Sequence, residues 1–135
     1  MNQATDLHPA ELGDSYCMGF TVGEHSARHM RRILRIFLTR WGLDRVSDSA
    51  ELALTELVAN VVRHVPGRRC SVLFLREPYG VRVEVADGVA GALHAKVPDV
   101  TAEGGRGLVV VEGVTDRWGV EERRDGKTVW FECDG

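Results

Sequence analysis

Glu56 and Asn60 stand four residues apart in the stretch ELALTELVANVVRH. A helix through this stretch projects both side chains from one face, about one turn apart. The first is a carboxylate that can accept a proton; the second is a carboxamide whose oxygen suits a hard cation such as Mg²⁺. Their neighbours Leu57, Val58, Ala59, Val61 and Val62 are apolar, which makes the pair stand out, although polar pairs at this spacing also form ordinary solvated stripes. Asp87 closes the alternating run VRVEVAD, with glycines following at 88 and 91. A carboxylate there can accept a hydrogen bond from a ligand's exocyclic amine, or simply build an Asp-Gly turn. Further on, Gly104-Gly105-Arg106-Gly107 runs straight into the apolar stretch starting at Leu108. Glycines let backbone amides approach a ligand, a helix start offers its positive end, and Arg106 adds a fixed cation, the parts of a phosphate cradle. The order fits neither G-x-x-x-x-G-K-[ST] nor G-x-G-x-x-G, and a glycine loop that only punctuates the chain is the plain alternative.

The elements that must position these groups follow from periodicity. Residues 1–12 show none and read as a frayed tail, leaving 13–135 as one domain. SYCMGFT, from Ser15 to Thr21, suits a first strand, and Thr21 with Glu24 three residues on forms a capping-box pattern. Ala27, Met30, Leu34, Phe37, Leu38 and Trp41 recur at helical spacing up to Gly42, a natural stop. Arg28, Arg31, Arg32 and Arg35 give that helix a basic opposite face, either solvated or a docking surface for an acidic partner. A second helix is expected from Asp48 to just before Pro66-Gly67. CSVLFL reads as a buried strand, and Val81, Val83 and Val85 as a half-buried one after a turn at Pro78–Gly80. Residues 88–106 form a long loop, of a length that is usually functional, before a short helix from Gly107 to about Val114. Trp118–Glu122 then pairs with Thr128–Cys133 across Asp125-Gly126, a dipeptide suited to a type I′ turn. The order β-α-α-β-β-loop-α-β-β implies an α+β fold: a two-layer sandwich whose mixed, mostly antiparallel sheet is covered by helices on one face.

Bulk properties narrow the function. Of 135 residues, 44% are hydrophobic and 27% charged, an ordinary globular mix. Seventeen Lys+Arg against twenty Asp+Glu leave a net charge of -3, which argues against direct nucleic-acid binding. No apolar run is long enough to span a membrane and no secretory pattern opens the chain, so a cytoplasmic location is expected. Cys17, Cys70 and Cys133 are widely spaced and read as small apolar strand residues; His25 and His29 read as an exposed pair rather than metal ligands.

Taken in order, Glu56…Asn60, Asp87…Gly91 and Gly105-Arg106-Gly107-Leu108 resemble the N, G1 and G2 boxes of the GHKL, or Bergerat-fold, ATPases. ELVANVVRH, VRVEVAD, GGRGLVVV and the late DRWGV…GKTVW resemble the short bacterial anti-sigma serine/threonine kinases, over about Phe20 to Glu132. The resemblance implies ATP and Mg²⁺ as ligand and metal, with Asn60 on the metal, Glu56 as general base and Asp87 on the adenine. It places Gly91 in the G1 box, and Gly104, Gly105, Arg106, Gly107 and Leu108 at the phosphates under a lid of residues 92–103. It sets Thr128 near the purine, and His64 either on a phosphate or capping the helix. It implies phosphorylation of an anti-sigma-factor antagonist, with a sigma factor as the alternative partner, in a family whose members are usually homodimers. The G1 box of the family reads D-x-G-x-G, whereas Val89 stands at its first glycine here, and a β-branched residue resists φ > 0 beside the purine. That departure favours the alternative of a non-catalytic, nucleotide-dependent binding module that sequesters a sigma factor or other regulator. A detached histidine-kinase catalytic domain is a third, weaker expectation.

Overall fold

The computed structural model describes residues 13–88 and 105–135. The expected tail, the 92–103 lid, Val89, Gly91 and Gly104 lie outside the described residues. In chain order the elements are β1 (Ser15–Thr21), α1 (Ser26–Arg40), α2 (Ser47–His64), β2 (Arg69–Glu77), β3 (Gly80–Asp87), α3 (Gly105–Val114), β4 (Arg117–Arg123) and β5 (Gly126–Asp134). Short 3₁₀ turns at Asp44–Val46 and Pro66–Arg68 lead into α2 and out of it. The strands form one sheet in the order β1-β2-β3-β5-β4, and all four pairings are antiparallel. The α+β sandwich is therefore as expected, with an antiparallel rather than a mixed sheet among the described residues.

Alternation along the strands sends one set of side chains to the helices. Val72 and Phe74 of β2, Val81, Val83 and Val85 of β3, and Phe131 of β5 are buried there. Met30, Ile33, Leu34, Phe37 and Leu38 of α1 and Leu54, Leu57, Val58 and Val61 of α2 cover them. Tyr16, Phe37 and Phe74 pack as an aromatic cluster, with ring centroids 5.1 and 5.6 Å from Tyr16.

Helix α1 ends as its sequence demands. Gly42 takes φ +73, and the amides of Gly42 and Leu43 reach back to the carbonyls of Thr39 and Leu38, a Schellman closure. Its start lies later than the Thr21–Glu24 pattern suggests. Thr21 is held in β1 opposite Arg69, and the Gly23 amide instead donates to Ser26 Oγ at 2.7 Å. The final hairpin also differs. Arg123 pairs with Gly126, so Arg124 and Asp125 form the turn. Neither has positive φ, which rules out type I′.

The basic face of α1 is divided. Arg35 grips the buried Glu51 of α2 with two hydrogen bonds of 2.6 and 3.0 Å, Ser47 adds a third, and Arg31 donates to Thr55 at 3.0 Å. These two arginines tie the helices together, and Arg28 and Arg32 remain exposed. On the opposite face of the sheet, Glu132 accepts from Tyr79, Arg82 and Arg117, and Arg82 lies over the Trp130 ring.

Candidate functional site

Helix α2 carries its polar pair on the side that meets α3. Asn60 is buried, and Glu56 one turn earlier is half-buried. Gly107, in the first turn of α3, presses against both. A methyl group at Gly107 would lie 3.0 Å from Glu56 Oε1 and 3.7 Å from Asn60 Oδ1. A side chain on α3 at this point would therefore crowd the two groups, and glycine permits the close approach. Behind it, Leu108 is fully buried in the core and anchors the helix, so only its backbone is left to face a ligand. The opening amides of α3 have no partners within the helix and carry its positive end, so a carboxylate, a carboxamide and an anion-attracting helix start converge.

This donor set can be tested for a hard cation. Mg²⁺ usually takes one or two protein oxygens and completes its shell with water and phosphate oxygens. Asn60 offers one such oxygen, which accepts a long 3.4 Å hydrogen bond from Arg63 Nη1. Among the described residues no group of three or more His, Cys, Asp and Glu gathers to hold a metal alone. The arrangement fits an ion that arrives with phosphates.

Asp87, at the end of β3, is buried on the helix side of the sheet. Its register partner on β5 is Lys127, equally buried and facing the same way. Thr128 pairs with Ala86 and points to the other face. The structure thus brings Lys127, not Thr128, beside Asp87. Gly126 makes that pairing possible, since a side chain there would strike the Asp87 carbonyl at 2.0 Å. The Cys70 thiol nearby is pushed up to about 11, by burial first and by the Asp87 charge second, and so stays protonated.

Two cavities meet at Asp87 and Lys127. The first is an apolar slot walled by Leu57, Val61, Val65, Val85 and Val129, with Asn60 beside them. Its volume is about 10 Å³, too small for a purine. The second is an open hollow of about 360 Å³ at the strand ends, bordered by Arg69, Arg123 and Thr128. That is large enough for a small ligand. His64, the last residue of α2, lies elsewhere, in a surface hollow with Arg63 and Arg68. Gly105 and Arg106 form the start of α3. Sequence reasoning did not single out Lys127 or Arg63. Arg63 follows Asn60 by three helical residues, a spacing that signals a neighbour; Lys127 gives no signal until the strand register is known.

Comparison with known proteins agrees with this architecture. The family model for the histidine kinase-like ATPase domain matches residues 21–133. A chain of the SiaB–SiaC complex from Pseudomonas aeruginosa superposes with a TM-score of 0.63 at 12% identity, covering 86% of this chain and 87% of that one. At that identity the likeness is one of fold. No curated protein matches the sequence.

Proposed function

The chain belongs to the histidine kinase-like ATPase domain family, and from that premise we propose that it is an ATP-dependent serine/threonine kinase acting on a protein partner, an anti-sigma-factor antagonist. The observation that carries the reading is the convergence of Glu56, Asn60 and the glycine start of α3 at one point. In this reading the phosphates lie at the first turn of α3, where Gly105 and Gly107 allow close approach and Arg106 adds charge. Asn60 would hold Mg²⁺, whose chemistry there would be to neutralise phosphate charge during transfer. Glu56 takes the proton of the acceptor hydroxyl as its oxygen bonds to the γ-phosphorus, and the β–γ bridging oxygen departs with ADP. Asp87 contacts the base. The SiaB–SiaC complex supports a protein partner, because a chain of this fold is held there by a second protein.

One observation favours the second reading, a binding module that sequesters a sigma factor without catalysis: the slot beside Asp87 has a volume of about 10 Å³. Transfer of labelled γ-phosphate to a candidate antagonist, beside calorimetry with Mg-ATP, separates the two. Glu56→Gln keeps shape and hydrogen bonding but removes the proton acceptor. It is expected to bind Mg-ATP like wild type and to lose roughly a hundredfold in transfer rate. Transfer at the wild-type rate would remove the base role, and ATP binding without transfer to any antagonist would favour the module.

A further inference from the structure

Lys127 takes no part in the phosphoryl chemistry above, yet only 7% of it is exposed. Its carbon chain is what is buried: among the described residues its ammonium makes no hydrogen bond or ion pair, and it is not shut off from solvent. The ammonium reaches the neighbouring hollow, where a bound group with an acceptor atom would give it the partner that the described residues do not. The β3–β5 register fixes where that group must sit. Lys127 stands directly opposite Asp87 on the same face, and side chains paired in this way have Cβ atoms about 5 Å apart. Both also border the two cavities that meet there. The site therefore presents a carboxylate acceptor and an ammonium donor side by side.

The complement of such a pair is a ring edge with a donor next to an acceptor. Adenine offers its 6-amino group beside N1. Guanine offers N1–H beside O6. A carboxylate alone would exclude guanine at the 6-position, where acceptor would meet acceptor. An ammonium beside it changes that result, because O6 moves to the lysine and N1–H to the aspartate.

We propose that Lys127 is the purine-edge donor of this site, pairing with N1 of adenine or O6 of guanine while Asp87 accepts from the neighbouring nitrogen. The site consequently takes GTP as well as ATP. This rests on the nucleotide reading above and goes beyond it by naming the base-reading residue and the substrate range it allows.

The test is calorimetry on the whole chain with Mg-ATP, Mg-GTP and 1-deaza-ATP, which lacks the N1 acceptor, for wild type and Lys127→Met. Methionine keeps the length and the packing without the charge, and a melting curve verifies the fold. Wild type is expected to bind ATP and GTP within about tenfold of one another and 1-deaza-ATP roughly tenfold more weakly than ATP, the usual consequence of an unpaired buried polar group. In Lys127→Met the 1-deaza penalty should vanish, and GTP should weaken roughly tenfold more than ATP. Equal weakening of ATP and GTP in the variant, or no weakening, overturns the base-edge role and leaves the nucleotide site standing. Wild type that binds 1-deaza-ATP as tightly as ATP overturns it too, without recourse to any variant. Wild type that binds no nucleotide overturns both readings together.

Discussion

Replacing Gly107 by alanine perturbs the convergence point of the site by a single methyl group. That methyl would lie 3.0 Å from Glu56 Oε1, where ordinary contact begins at 3.4 Å, so the carboxylate must retreat by about 0.4 Å. It would also lie 3.6 Å from Glu56 Cβ and 3.7 Å from Asn60 Oδ1, which need not move. The carboxylate ends a flexible side chain, and shifting it off its preferred rotamer costs about 1 kcal/mol. Alanine returns part of that, because glycine is about 0.8–1 kcal/mol worse in a helix interior and less so in a first turn such as this one. The melting temperature should therefore stay within about 5 °C of wild type. Function should not. A displaced base and a methyl between α3 and the phosphates are expected to lower transfer about tenfold or more, since misplacement by 1 Å can cost a hundredfold. Gly113 supplies the control. It lies in the same helix with open space around its Cα, so Gly113→Ala should leave transfer unchanged and the fold equal or firmer. Single-turnover phosphotransfer and thermal melts on the three proteins decide the matter. Wild-type transfer by Gly107→Ala, or an equal loss in Gly113→Ala, would refute the reasoning.

Three further outcomes are expected. Asn60→Ala should fold and should lose most of the gain in ATP affinity that Mg²⁺ gives wild type, roughly tenfold or more, by titration with and without the metal; an unchanged gain would remove Asn60 from the metal. Burial tends to raise the Glu51 carboxyl, but hydrogen bonds from Arg35 and Ser47 outweigh it and hold the group below its ordinary 4.5, and Glu132 is likewise held low against burial by Arg117, Arg82 and Tyr79. A depressed folded-state value means the unfolded chain binds protons first, so this stability is complete above about pH 4.5 and drains as pH falls through the folded values. Glu51→Gln should flatten that acid slope in melts from pH 6 to 3, and an identical slope would sink the assignment. Burial, with nearby acids, pushes the Cys133 thiol up to about 12, and Cys70 stands at about 11, whereas Cys17 is exposed. At pH 8 a thiol reagent should therefore modify one cysteine in the native chain and all three after denaturation; rapid labelling of Cys70 or Cys133 would contradict their burial.

The sequence by itself determined everything governed by local period and composition. A helix places residues four apart on one face whatever surrounds it, so Glu56 and Asn60 were legible as a pair. Apolar spacing located α1 and α2, alternation located β3, and Gly42 marked where α1 stops. Tertiary structure decided the rest, because those features depend on which elements meet. Arg31 and Arg35 read as a wet face until α2 brought Thr55 and Glu51 against them. Gly107 read as one glycine of a phosphate cradle until α3 packed onto α2 and brought it against Glu56 and Asn60. Thr128 and Lys127 are the sharpest instance. Adjacent strand residues point to opposite faces, so which of the two joins Asp87 hangs on a one-residue choice of register. Pairing across β3 and β5, with Gly126 against the Asp87 carbonyl, made that choice in favour of the lysine.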